Sequence, residues 1–155
     1  MIVCLPATLA DLPRLLALEN AVFTTDRISR RQFRYLLGRA LIVKAVDDRP
    51  DREALFGCLV LLFRRDSRRA RIYSLAVSAA ARRQGVARRL LAYAEAESRR
   101  RDLTGIVLEV REDNKAALAL YQSAGFRQIG RRLNYYEDGA TAVRLKKVFA
   151  GAGDG

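Results

Sequence analysis

Hydrophobic positions along this chain switch repeatedly between a spacing of two and a spacing of three to four. Residues 2–5 form a short apolar run that Pro6 ends, the pattern of a strand. Leu12, Leu15, Leu16 and Val22 then recur at helical spacing behind Thr8 and Asp11, either of which can cap the helix. Pro13 fits only a first helical turn, which sets the start close to it. Glu19, Asn20 and Phe23 fall near the end. Ser29 followed by Gln32 is a capping-box pattern that opens a second helix through Phe33, Leu36 and Leu37. Gly38 closes it, and Arg30, Arg31 and Arg34 line its outer side.

Three apolar runs follow, at residues 40–46, 54–63 and 70–78, separated by polar turns at 47–51 and 64–69. Such short connections predict an antiparallel meander. A helix is expected over residues 85–101, with Val86, Leu90, Tyr93 and Ala94 on one face, and a strand over 105–110. Asn114 can cap the next helix, which carries Ala117, Leu118 and Tyr121 and closes at Gly125. A strand from Phe126, a turn at 134–139 with Asp138-Gly139 at its tip, and a strand over 141–149 complete the order. The small, polar residues 150–155 read as a flexible tail. The order β-α-α-β-β-β-α-β-α-β-β contains no repeat and no linker. It predicts an α/β protein with one mixed sheet covered by helices on both faces, in a single domain over residues 1–149.

Composition narrows the chemistry. No apolar run approaches the ~20 residues of a membrane helix, and the N-terminus lacks a basic n-region and a cleavage site, so a cytoplasmic protein is expected. The chain has no histidine. That excludes a His/Cys zinc site and any Ser-His or Cys-His nucleophile, and no metal is expected. Cys4 and Cys58 lie in apolar strands and read as buried free thiols. The net charge of +12 comes mostly from arginines spread along the chain, a solvating surface or a basic partner surface. Nucleic acid is not expected as a direct ligand, since no helix-turn-helix, zinc or RNP motif is present.

The stretch over residues 73–91, YSLAVSAAARRQGVARRLL, passes from apolar strand through a turn into a basic helix. At the joint, Arg82-Arg83-Gln84-Gly85-Val86-Ala87 has the form R/Q-x-x-G-x-G/A. A glycine lets backbone approach a ligand closely, and the first-turn N–H groups of a helix have no internal acceptor, so such a joint can hold a diphosphate. By itself it is equally a plain structural turn. A second stretch, Val107-Leu108-Glu109-Val110-Arg111 with Asn114 and Tyr121 behind it, changes the weighting. Together with RRLNYYEDG, these segments resemble the GNAT superfamily of acetyl-CoA-dependent N-acetyltransferases. Within it they are most similar to the bacterial ribosomal-protein-alanine N-acetyltransferases of the RimI type. The resemblance covers about residues 1–149.

The resemblance implies a mixed, mostly antiparallel sheet of about six or seven strands with a splayed parallel pair ending near Val77 and Glu109. Acetyl-CoA would sit between them as co-substrate. Its pantetheine arm would pair with the backbone of Leu75, Ala76 and Val77, and an N–H near Val77 would polarise the thioester carbonyl. Arg83, Gln84, Gly85, Val86, Ala87 and Arg88 would hold the pyrophosphate, and Asn114 would touch the cofactor as well as capping its helix. Glu109, among alternating apolar neighbours, would be the general base, and Tyr121 the acid that protonates the leaving thiolate. Glu19 and Asn20 would face the acceptor from one side, and Tyr135 and Tyr136 from the other.

The favoured acceptor is a protein N-terminal α-amine, that of a ribosomal protein among the options. With an ordinary pKa near 8, about a tenth of such amines are neutral at pH 7, against roughly one lysine side chain in a few thousand. Two departures from the RimI pattern stand out. The family's Trp-Ser pair is replaced by Thr24-Thr25-Asp26-Arg27-Ile28-Ser29, which leaves the acceptor open, and the strand-ending proline is Ala79. A small amine, a polyamine or a lysine therefore remains an alternative acceptor. A basic nucleic-acid-binding module and a non-catalytic acyl-CoA sensor are alternatives of another class. A monomer or a homodimer is expected.

Overall fold

The computed structural model describes residues 1–49 and 55–151. The element order is the predicted one: β1 (Ile2–Pro6), α1 (Leu12–Val22), α2 (Arg30–Leu37), β2 (Leu41–Asp47), β3 (Leu55–Leu62), β4 (Arg69–Val77), α3 (Val86–Arg100), β5 (Gly105–Arg111), α4 (Lys115–Ser123), β6 (Arg127–Arg132) and β7 (Ala142–Val148). Two 3-10 turns, Leu9–Asp11 and Ala79–Ala81, are too short to leave a periodicity in the sequence. The end of the predicted 47–51 turn, Ala54 and residues 152–155 lie outside the described residues.

The strands form one mixed sheet in the order β1-β2-β3-β4-β5-β7-β6. The β1–β2, β2–β3, β5–β7 and β6–β7 pairs are antiparallel, and β4–β5 is parallel. That parallel ladder runs from Arg69↔Gly105 to Ile72↔Leu108, whereas β4 continues to Val77 and β5 to Arg111.

Two compact units share the chain, and the boundary crosses β4. One comprises Met1–Leu62 and Tyr73–Ala94. Its core packs Leu12, Leu15 and Leu18 of α1 and Phe33 of α2 against Ile42, Val60 and Ala76 of the strands. Here burial follows the helical spacing of α1 directly. Ser29 accepts from the Gln32 N–H at 3.2 Å and Gln32 returns a bond to the Ser29 N–H at 2.9 Å, the capping box the sequence promises for α2. Gly57 on β3 is a contact point for α3. A Cβ there would lie 2.8 Å from Val86 Cγ1, 3.0 Å from the Ala76 carbonyl oxygen and 3.1 Å from Leu90 Cδ1. Only the bare backbone of glycine lets the first turns of α3 approach so closely.

The other unit comprises Phe63–Ile72 and Glu95–Gly155. Ile106 and Leu108 of β5, Tyr121 of α4, Phe126, Leu145 of β7 and Phe149 are buried in it. β5 lies between its parallel partner β4 and its antiparallel partner β7. Glu109 pairs with Arg144 of β7 on one side, and on the other it lies one residue past Ile72↔Leu108, the last pair of the ladder with β4.

Candidate active site

In the first unit, Leu75, Ala76 and Val77 end β4, with Ala76 buried in the core and its two neighbours half-buried. The chain leaves β4 at Ser78, whose N–H donates to the Phe56 carbonyl at 2.9 Å. The turn 82–85 is exposed throughout. Arg83 and Gly85 both adopt left-handed backbone, at φ 65° and 77°. Glycine takes that conformation freely, while for arginine it costs about 1–2 kcal/mol. The Gln84 side chain donates to the Ala80 carbonyl at 3.1 Å and closes the turn on itself. The Arg89 N–H donates to the Gly85 carbonyl at 3.0 Å, so the helical ladder starts at Gly85. Val86 is buried and anchors the helix, Ala87 is half-buried and Arg88 is exposed. A Cβ on Gly85 would meet nothing within 4 Å. The predicted joint is thus an open, small-residue turn at the N-terminus of a 15-residue helix, whose dipole and first-turn N–H groups favour an anion.

Glu19 and Asn20 lie in the last turn of α1. Glu19 is buried, and its Oε1 accepts from the Ile28 N–H at 3.2 Å. Burial pushes its carboxyl up to about 7, with the Ile28 N–H and the Arg27 charge pulling the other way. The Arg27 guanidinium donates to the carbonyls of Phe23 and Asn20, and so braces the connector between α1 and α2.

The second unit holds the remaining candidates. Glu109 is covered, its side chain 8% exposed. Arg71 of β4 brings Nη2 to 3.1 Å from Oε2, and Arg144 of β7 brings Nε to 3.4 Å from Oε1. Both are ion-pair distances without hydrogen-bond alignment. Glu109 Oε2, Arg71 Nε and Arg144 Nε are buried with no hydrogen bond among the described residues. Arg71 Nη2 also donates to the Tyr135 hydroxyl at 2.9 Å. Tyr135 stacks edge-on against Tyr136, with ring centres 5.0 Å apart. Arg111 binds Asp138 through both terminal nitrogens, at 3.1 and 2.8 Å, and pins the 134–139 turn that carries the two tyrosines.

Asn114 caps α4, its side-chain oxygen accepting from the Ala117 N–H at 3.1 Å. Tyr121, two turns further, is buried and meets the edge of Phe126 at 5.5 Å. Burial, and then the neighbouring Tyr136, push its phenol well above the ordinary tyrosine range. It stays protonated, a hydrogen-bond donor in an apolar setting. The structure therefore joins Glu109 to Tyr135 through Arg71 and brings Tyr121 near Tyr136. In the other unit, the Leu75–Val77 strand end leads into the Gly85 turn.

Sequence reasoning missed Arg71 and Arg144. Strand alternation puts each on a defined face, but their meeting at Glu109 depends on register. Glu109 faces Arg144 directly, and Arg71 pairs with Val107, two residues back on the same face.

The Acetyltransferase (GNAT) family model matches residues 12–126. The ribosomal protein bS18-alanine N-acetyltransferase of Escherichia coli strain K12 is 42% identical over 67 residues, covering 43% of this chain and 45% of that protein. The N-alpha-acetyltransferase RimI of Mycobacterium tuberculosis is 41% identical over 83 residues, 49% of this chain and 47% of that protein. The matches thus span less than half the length of these curated relatives. The crystal structure of the Escherichia coli ribosomal-protein-alanine N-acetyltransferase superposes with a TM-score of 0.85 at 27% identity, covering 99% of this chain and 97% of that one. With three quarters of its length under the family model and the mixed sheet with its parallel pair in place, the chain belongs to the GNAT acetyltransferase family.

Proposed function

We propose that this protein transfers the acetyl group of acetyl-CoA to the α-amine at the N-terminus of a protein, in one step and without an acetylated enzyme. The observation that carries the reading is the open Gly85 turn at the head of α3, directly after the strand end Leu75–Val77. Its first-turn N–H groups would take the pyrophosphate, with Arg83, Gln84, Val86, Ala87 and Arg88 around it. The pantetheine arm would add to the edge of β4 beyond Ile72, where the ladder with β5 has ended. An N–H near Val77 would polarise the thioester carbonyl, and Asn114 would add a cofactor contact.

In the reaction the neutral amine attacks the thioester carbon and the C–S bond breaks. The surplus amine proton passes to Glu109, directly or through a water, and Tyr121 donates to the departing sulfur. The two guanidinium groups hold the Glu109 carboxylate in place. The demand on this base is light for an α-amine, of which about a tenth is already neutral at pH 7. The relatives' activities on N-terminal amines favour that acceptor, a ribosomal protein among the options. Glu19, Asn20, Tyr135 and Tyr136 are the proposed acceptor contacts. A cytoplasmic setting fits the two free thiols. A single acetyltransferase domain over residues 1–149 stands as part of the proposal.

The test is intact-mass detection of acetyl transfer from acetyl-CoA to peptides with free N-termini, the same peptides with blocked N-termini and free lysines, and polyamines. Transfer confined to free N-termini supports the proposal. Transfer to blocked peptides or polyamines overturns the choice of acceptor.

A further inference from the structure

The charges around Glu109 do not balance. Arg71 and Arg144 both pair with it, and among the described residues neither meets another carboxylate. Among the other acidic groups, Asp113 and Asp138 pair with Arg111, and Glu112 with Arg131. Two guanidinium groups on one carboxylate give the triad itself a net positive charge. The arrangement is also layered. Glu109 is 8% exposed, while the side chains of Arg71 and Arg144 are 37% and 34% exposed. A molecule approaching Glu109 meets two guanidinium groups first.

The hydrogen-bonding capacity left at the cluster is specific too. Arg71 Nε and Arg144 Nε are donors without acceptors, and Glu109 Oε2 is an acceptor without a donor. Tyr135 accepts from Arg71, which leaves its own hydroxyl proton to give. Those two Nε atoms and Oε2 are buried, so an incoming group meets the partly exposed guanidinium groups of Arg71 and Arg144, which suit anionic oxygens, while the carboxylate beside them suits an N–H. A polyamine brings donors and positive charge only, and two arginines repel it. A lysine side chain has no acceptor close to its amine.

We infer that Arg71 and Arg144 make this site selective for an amine that carries a carboxylate a few bonds away. The inference rests on the α-amine reading above and sharpens it. Two sources share that chemistry: a peptide whose first residue is aspartate or glutamate, and a free α-amino acid. In either, the amine points at Glu109 while the carboxylate takes a bidentate seat on a guanidinium. An alanine-initiated peptide offers only its first carbonyl.

The experiment measures kcat and KM for acetylation of matched peptides beginning with Asp, Glu, Ala and Lys, and of free alanine beside alaninamide. The expected result is a kcat/KM about tenfold or more higher for the carboxylate-bearing acceptors, expressed mainly in KM. The peptide and amino-acid arms separate the two sources. Arg71→Met and Arg144→Met should each reduce that preference, read as the ratio of kcat/KM for the acidic peptide to that for the alanine peptide, severalfold, whatever they do to the alanine rate itself. Arg71→Lys, which keeps the charge, should retain part of the preference. If the methionine variants do not fold, the lysine variant and the loss of preference at high salt carry the test. Equal kcat/KM for acidic and neutral acceptors in the wild type overturns the inference and leaves the α-amine proposal standing. Acetylation of no α-amine at all, with acetyl-CoA bound, removes both.

Discussion

Glu109 on β5 stands directly opposite Arg144 on β7 in the antiparallel register, with its carboxylate 3.4 Å from the guanidinium. The pairing is a product of strand register, and it turns an isolated strand glutamate into the centre of a charged cluster that also takes in Arg71 and Tyr135. If this carboxylate receives the amine proton, Glu109→Gln keeps the shape and loses the acceptor. The variant should lower kcat by about 100-fold or more, the usual range for a general base. Its affinity for acetyl-CoA, measured by calorimetry, should stay within about threefold of wild type, a change under 1 kcal/mol. An unchanged kcat would remove Glu109 from the chemistry.

Tyr121 makes the complementary case. Its phenol is held protonated by burial, so Tyr121→Phe removes one hydroxyl and no packing. We expect kcat to fall about tenfold or more with KM for the acceptor little changed, since the lost interaction forms with the leaving thiolate. A fall in KM-dependent binding alone would place the hydroxyl in acceptor recognition.

Gly85 separates ligand effects from fold effects. An alanine there meets no protein atom within 4 Å and suffers only the backbone strain of φ 77°. The stability cost should be about 1–2 kcal/mol. If the pyrophosphate packs against this turn, the added methyl should weaken acetyl-CoA binding by about tenfold or more, an effect of 1.4 kcal/mol beyond the strain. Melting curves with and without CoA distinguish the two. Gly57→Ala should behave in the opposite way. Its Cβ collides with Val86, Leu90 and the Ala76 carbonyl, so it destabilises the fold by about 1–3 kcal/mol and reaches the cofactor only by shifting α3.

Glu19 predicts a pH dependence of stability. Its folded value of about 7 lies above that of an unfolded glutamate. The native state therefore binds the proton more tightly, and the stability this contributes is complete below about pH 4 and lost as the pH rises through 7. The chain has no histidine to titrate in the same interval. Glu19→Gln keeps an acceptor for the Ile28 N–H and removes the charge. Denaturant melts should show wild-type stability falling between pH 5 and pH 8 and the variant nearly flat. At pH 8 the variant should be more stable by up to roughly 3 kcal/mol. Parallel curves for the two proteins would contradict this.

The element order was readable because each element carries its own local signal. The Ser29–Gln32 capping box, the Asn114 cap and the leucine spacing of α1 are contained within a turn or two of chain. The Gly85 joint was readable for the same reason, since one turn holds the whole motif. What the sequence could not carry were the meetings that depend on register and long-range packing. Arg71, Glu109 and Arg144 are far apart in the chain and meet only because β4, β5 and β7 are neighbours in a particular alignment. Glu19 shows the same limit at a helix end. Helical spacing places it beside Asn20, but its burial depends on the connector that returns Ile28 to its carboxylate.

The most direct test of the central claim uses one peptide with a free N-terminus and an internal lysine. It is incubated with the protein and acetyl-CoA, and the acetyl group is located by fragmentation mass spectrometry. Acetyl is expected on the α-amine alone, with Glu109→Gln producing about one hundredth or less of the wild-type rate. Acetyl on the lysine, or equal rates for the two proteins, would contradict the claim.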